Sequence, residues 1–246
     1  MHKRIVTLIF SFLILCTITA QEIDENYIKA NYNKIEVNIP MRDGIKLFTA
    51  IYTPKDISRS YPILLNRTPY TVAPYGEDSY KSSLGNFKEM AKEGYIFVYQ
   101  DVRGKWMSEG VFENVRPTKS PTDKKGIDES TDTYDTIDWL VKNVKNNNNK
   151  VGMYGISYPG FYASAALVGS HPALKAVSPQ APVTDWFVGD DFRHGGALLL
   201  FDAFRFMYTF DAARSHPVDN TKGPKGFSLE GKDYYKFFLN NKNIGD

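Results

Sequence analysis

The sequence predicts an α/β fold, a mostly parallel, doubly wound sheet followed by the start of a helical lid. Two observations carry this prediction. From Met41 through Pro179, strand-like and helix-like stretches alternate, the order that places helices on both faces of a parallel sheet. Tyr95 to Tyr99 is an unbroken apolar run, as in a strand covered on both sides. After Pro182 the pattern changes to aromatic and polar clusters that read as helix: Trp186, Phe187, Phe192, Phe201, Phe204, Phe206, Tyr208 and Phe210. The expected parts are a leader over 1–20, the first part of a sheet domain over 21–182, and a lid over 183–246.

Tyr32 to Ile39 alternates, with Ile35, Val37 and Ile39 on one side, and predicts a strand. Asp43-Gly44 signals a hairpin turn, and Ile45 to Tyr52 is the returning strand, ended by Pro54. The hairpin belongs at a sheet edge. Pro62 to Asn66 is a short buried strand, with Arg67-Thr68-Pro69-Tyr70 as the loop at its end. Ser79 to Glu93 predicts a helix with Phe87, Met90 and Ala91 inward, stopped at Gly94. Beyond the strand at 95–99, a long polar loop runs to Gly126. A helix follows from Ser130, with Tyr134, Ile137, Leu140, Val141 and Val144 at helical spacing. Acids crowd its first half, where the helix dipole favours them. Asn146 to Asn149 reads as a loop. Val151 to Tyr154 and Lys175 to Pro179 are the next strands, with an Ala-rich helix from Phe161 between them. Ligands of such sheets sit beyond the carboxyl ends of the strands. Tyr70, Arg103 and Ser157 each follow directly on a predicted strand, so all three are expected in one crevice.

With 246 residues, 42% hydrophobic and 14% aromatic, the chain can bury a large core. His2-Lys3-Arg4, an apolar stretch from Ile5 to Cys16, and Thr17 to Ala20 before polar Gln21 have the layout of a secretory signal peptide cut after Ala20. A secreted or periplasmic protein follows. The apolar core is shorter than the ~20 residues that a membrane span needs. With Lys3 and Arg4 in the leader, 28 basic side chains remain against 28 acidic ones. No basic field then draws the mature chain to nucleic acid or to an acidic membrane. The one cysteine, Cys16, leaves with the leader, so neither a disulfide nor a cysteine metal cluster is expected.

Between the strand at 151–154 and the Ala-rich helix stands Gly155-Ile156-Ser157-Tyr158-Pro159-Gly160. Strand, sharp turn with a serine at its tip, then helix is the context of a nucleophile elbow. Such a turn strains the serine backbone, so small neighbours are needed, and Gly155 and Gly160 supply them. The helix start aims N–H groups and a positive dipole end at the place where negative charge would build. Ser157 therefore reads as an acyl-transfer nucleophile; the alternative is an ordinary strand–helix turn. The strict pattern wants glycine two places after the serine, where Pro159 stands.

Several stretches together resemble one family, the Xaa-Pro dipeptidyl-peptidase-like (CocE/NonD-type) group of α/β-hydrolases, which includes α-amino-acid ester hydrolases, glutaryl acylases and cocaine esterase. They are Met41-Arg42-Asp43-Gly44-Ile45-Lys46-Leu47, Asn66-Arg67-Thr68-Pro69-Tyr70, Gln100-Asp101-Val102-Arg103-Gly104 with Ser108-Glu109-Gly110, Thr133 to Leu140, and Gly155 to Gly160. The group has Gly-x-Ser-Tyr-x-Gly, which accounts for the late glycine. The run from Ala181 to Ala197 is most similar to the amino-acid ester hydrolase branch. The resemblance implies an α/β-hydrolase fold, with Ser157 as nucleophile, the Tyr158 backbone N–H as one oxyanion donor and the Tyr70 phenol as the other. Two such donors can each lower a barrier by about 3 kcal/mol. It also implies that Asp190 and Asp191 hold a substrate's free α-ammonium; a helix N-cap or first-turn acid is the other reading of that pair. Asp101 and Arg103 read as a buried ion pair holding their loop.

A serine nucleophile needs a base and an orienting acid. The family places its Asp and His after the lid, and this chain ends at Asp246, within the expected lid. An N-terminal fragment with an incomplete sheet is therefore expected. Of the mature histidines, His171 and His216 read as turn or loop residues, and His194 is the best in-chain candidate for a base. The expected activity is that of an exported serine hydrolase acting on a small acyl ester or a peptide, with no metal and no cofactor. A homo-oligomer stays open. The rival readings are an inactive truncated product and a non-catalytic binding module.

Overall fold

The computed structural model describes residues 22–240 apart from 121, 124, 184, 186, 187, 190, 211–213, 215, 220–227, 229, 230 and 232. It opens with a helix that the sequence did not suggest, α1 (Glu25–Asn31), capped by the Asp24 carboxylate, which accepts from the Tyr27 N–H. β1 (Tyr32–Pro40) and β2 (Lys46–Pro54) form the expected edge hairpin, paired from Tyr32–Pro54 to Pro40–Lys46. β3 (Tyr61–Thr68), β4 (Ile96–Asp101), β5 (Asn147–Ile156) and β6 (Leu174–Gln180) complete a sheet in the order β1-β2-β4-β3-β5-β6. β4, β3, β5 and β6 run parallel, and β2 joins β4 antiparallel. This is the mixed, mostly parallel α/β sheet that the sequence predicts.

α2 (Lys88–Lys92), α3 (Glu129–Asn143) and α4 (Tyr158–Ala165) fill the connections. Alternation along β3 and β4 divides the core. Ile63, Leu65, Ile96 and Val98 pack with Ile137 and Leu140 of α3 and with Tyr158, Tyr162 and Ala163 of α4. Leu64, Phe97 and Tyr99 pack on the other side with Tyr32, Tyr52 and Ala91. Both faces are covered, which is why the run at 95–99 has no polar alternation.

Two stretches differ from expectation. Only Lys88–Lys92 is helical within 79–93. The Lys34 ammonium takes the carbonyls of Pro74, Gly76 and Ser79, each at 2.8 Å, and holds the preceding chain open. Ser83 closes a local turn by accepting from the Gly85 N–H, and Gly85 stands at φ 80°. The asparagine run is not simply a loop, because β5 begins at Asn147. Asn146 and Asn149 adopt φ 56° and 57°, which asparagine tolerates. The Asn147 amide donates to the carbonyls of Val141 and Val144 at the end of α3.

Beyond β6, a small hairpin, β7 (Arg193–His194) and β8 (Ala197–Leu198), was not expected. α5 (Leu200–Phe210) carries the later part of the expected aromatic cluster, from Phe201, as a helix, whereas Phe192 stands in the turn before β7; α6 (Tyr234–Asn240) follows. Trp186 and Phe187, and residues 1–21 with the leader expected over 1–20, lie outside the described residues. Among the described residues no helix is long and apolar enough to cross a membrane.

Candidate active site

β5 ends at Ile156 and α4 begins at Tyr158, so Ser157 forms the turn between them, at φ 60°, ψ −121°. A non-glycine residue there is strained by roughly 1–3 kcal/mol and persists only where its surroundings fix it. Here the Ser157 N–H donates to the Gln180 carbonyl of β6 at 2.9 Å, and its carbonyl accepts from the Phe161 N–H at 3.2 Å. The Ser157 side chain does not cap the helix.

Both glycines are required by close approach. A Cβ on Gly155 would lie 2.0 Å from the Pro159 carbonyl oxygen, and one on Gly160 would lie 2.7 Å from that of Gln180. The late glycine is thus the residue that lets α4 pass β6. Pro159 occupies the first helical turn, where a backbone N–H has no intrahelical acceptor to lose.

Tyr70 follows β3, the parallel neighbour of β5, so the two loops emerge side by side. Its phenol interacts with the Ser157 side chain, and its ring meets that of Tyr158 edge-on at 6.4 Å. Burial raises the Tyr70 pKa above 10, the Ser157 side chain works against that, and the Asp191 charge adds to it. The phenol therefore keeps its proton at neutral pH and can donate. Tyr158 is 1% exposed. Its phenol donates to Asn114 Oδ1 at 2.6 Å and accepts from the Val115 N–H at 2.7 Å. The Tyr158 side chain is an anchor, and its backbone heads the helix beside Ser157.

Asp191 lies in a turn before β7, and α5 begins only at Leu200, so Asp191 neither caps that helix nor sits in its first turn. Its charge acts on the Tyr70 phenol, which it helps to keep protonated. Asp190 lies outside the described residues.

The expected Asp101–Arg103 pair is not formed. Arg103 instead binds Asp132 at 2.7 Å and Asp43 at 2.7 Å. These bonds tie the first hairpin to α3, and Arg103 serves the frame instead of the crevice. Asp101, fully buried, accepts from the Val72 N–H at 3.1 Å, the Tyr75 phenol at 2.9 Å and the Met107 N–H at 3.3 Å. Sequence reasoning also passed over Trp106, whose indole N–H donates to the Pro69 carbonyl at 2.9 Å. Trp106 lies beside the Gln100–Gly104 stretch, and that proximity was the available signal.

His171 has both ring nitrogens engaged. Nδ1 accepts from the Ala173 N–H at 3.0 Å, and Nε2 faces Asp138 at 3.5 Å. It serves the turn after α4. His194 and His216 are exposed. Among the described residues no group of three or more His, Cys, Asp or Glu side chains could hold a metal ion.

The family model described as X-Pro dipeptidyl-peptidase (S15 family) matches residues 43–228. Cocaine esterase of Rhodococcus sp. (strain MB1 Bresler) is 32% identical over 72% of this chain and 27% of its own length. The crystal structure of an aminopeptidase from the marine sediment archaeon Thaumarchaeota archaeon is 38% identical, with a TM-score of 0.71, over 87% of this chain and 35% of that one. A selenomethionine-labelled α-amino acid ester hydrolase is 38% identical, also with a TM-score of 0.71, over 92% of this chain and 36% of that one. The chain thus spans about a quarter to a third of the length of these relatives. Matched over most of its described length, the chain belongs to the X-Pro dipeptidyl-peptidase (S15) family.

Proposed function

We propose that the protein is an exported serine hydrolase that cleaves an ester or amide bond through an acyl-enzyme on Ser157. The observation that supports this most is the strained strand–helix turn at Ser157, with Tyr70 delivered beside it by the parallel neighbour strand. In this reading the Ser157 hydroxyl oxygen attacks the substrate carbonyl carbon, and its proton passes to a histidine base. The carbonyl oxygen gains the negative charge and accepts hydrogen bonds from the Tyr158 backbone N–H and the Tyr70 phenol. Collapse expels the alcohol or amine, which takes up the proton, and water then hydrolyses the ester on Ser157. This reading takes the base and its orienting acid from outside the described residues.

The substrate class is a small acyl ester or a peptide with a free amino terminus. The Asp191 carboxylate, on the Tyr70 side of the site, is suited to hold an α-ammonium group. The test is hydrolysis of p-nitrophenyl acetate and of an unblocked amino-acid ester by the full-length gene product, with Ser157→Ala as control. Turnover that vanishes in the variant is expected. Turnover equal in both would remove Ser157 from the mechanism, and a folded protein inert to every ester and amide would leave a binding module.

A further inference from the structure

Tyr70 is 40% exposed, so packing alone does not fix its phenol. Its backbone is held instead. On one side the Pro69 carbonyl accepts from the Trp106 indole N–H at 2.9 Å. On the other, the Val72 N–H is taken by Asp101 at 3.1 Å, and the Tyr70 N–H itself donates to Thr68 Oγ1 at 3.0 Å. Asp101 is built into β4, but Trp106 is not part of any strand or helix.

Trp106 is itself held at φ 45°, an outlier for so bulky a side chain. The other grip on it comes from the lid side. Its carbonyl accepts from the Arg214 guanidinium and, at 2.8 Å, from the Val218 N–H; Arg214 also donates to the Ser108 carbonyl at 2.6 Å. A strained backbone held from both sides is what a fixed spacer between two segments requires.

Resting on the reading of Ser157 and Tyr70 above, we propose that Trp106 is a positioning residue: it links Arg214 and Val218 to the Pro69 carbonyl and so sets the Tyr70 phenol against Ser157. Indole suits the task because its N–H is a rigid, donor-only group. Small displacements of a catalytic donor are costly: about 1 Å of misplacement can cost about a hundredfold in rate.

The experiment uses the full-length gene product and steady-state ester hydrolysis by Trp106→Phe, Tyr70→Phe and the double variant. Phenylalanine keeps a ring and removes only the indole bicycle with its N–H. We expect Trp106→Phe to lower kcat by about tenfold to a hundredfold with little change in KM. In the Tyr70→Phe background the same substitution should have almost no further effect. Arg214→Gln, which loosens Trp106 from the lid side, should repeat this pattern and stands in if Trp106→Phe does not fold. Wild-type kcat in both variants would overturn the proposal, as would a loss that persists undiminished without the Tyr70 hydroxyl. An effect confined to KM would overturn it too. If Tyr70→Phe alone is harmless in an active enzyme, it is the role of Tyr70 that has failed, and the two failures are told apart.

Discussion

The phenol of Tyr70 acts on the side chain of Ser157 across the ends of β3 and β5, two adjacent parallel strands. Topology explains the meeting. Strands side by side and parallel deliver the loops at their carboxyl ends to the same place, although the two residues lie far apart in sequence. Ser157 contributes a fixed backbone turn and Tyr70 a neutral donor, and each depends on its strand for position.

Tyr70→Phe removes one hydroxyl and keeps the ring that packs edge-on against Tyr158. If the phenol stabilises the oxyanion, kcat should fall by about a hundredfold to a thousandfold with KM almost unchanged. Steady-state kinetics on an ester substrate decides this, and an equal rise in KM at constant kcat would point to substrate binding instead.

Gly155→Ala tests the elbow as a piece of backbone. The new Cβ would stand 2.0 Å from the Pro159 carbonyl oxygen, a main-chain atom that cannot rotate away. The helix start would have to move, at a cost of about 2–4 kcal/mol. A lowered urea midpoint together with lost hydrolysis is expected. By contrast Gly44→Ala, where a Cβ would meet nothing within 4 Å, should show only the mild strain of its φ of 87°.

Asp101 and Lys81 give the fold opposite pH slopes. Burial lifts the Asp101 carboxyl from 3.8 to about 7, against the hydrogen bonds from Tyr75, Met107 and Val72 and the charge of Lys81. Burial likewise lowers Lys81 from 10.5 to about 8, despite the charge of Asp101. Between pH 3.8 and about 7 the folded chain keeps an Asp101 proton that the unfolded chain has lost, so stability falls as pH rises. Between about 8 and 10.5 the unfolded chain keeps a Lys81 proton that the folded chain has released, so stability rises with pH. Urea midpoints measured across pH should show the first slope flattened in Asp101→Asn and the second in Lys81→Met. Slopes unchanged in both variants would mean that these groups titrate normally.

Asp191→Asn should weaken substrates bearing a free α-ammonium, raising KM about tenfold, and leave N-acylated substrates unchanged. The comparison of the two substrates is the readout. A loss shared by both would place Asp191 in support of Tyr70, whose pKa it already raises.

The sheet and the elbow were legible because their signals are local. The unbroken run at 95–99, the Asp43-Gly44 turn and the glycines flanking Ser157 each state a backbone requirement within a few residues. Partners across the fold were not legible. Arg103 stands two places from Asp101, yet side chains that close along a chain leaving a strand diverge, and α3 brings Asp132 to Arg103 from elsewhere. The stretch at 79–93 has helical spacing, but Lys34 from β1 claims carbonyls just ahead of it and that of its first residue, and no local pattern reveals a cation arriving from another strand. Trp106 was passed over for the same reason, since its meaning lies in the carbonyl of Pro69. Tyr70 came from family resemblance, and its position beside Ser157 follows from the strand order.

The most direct measurement is active-site labelling of the full-length gene product with a fluorophosphonate, read by mass spectrometry of the peptide containing Ser157. We expect the adduct on Ser157, with none formed in Ser157→Ala and slower labelling in Tyr70→Phe. A folded wild-type protein that stays unlabelled, or an adduct that survives Ser157→Ala, would contradict the assignment of Ser157 as an activated nucleophile.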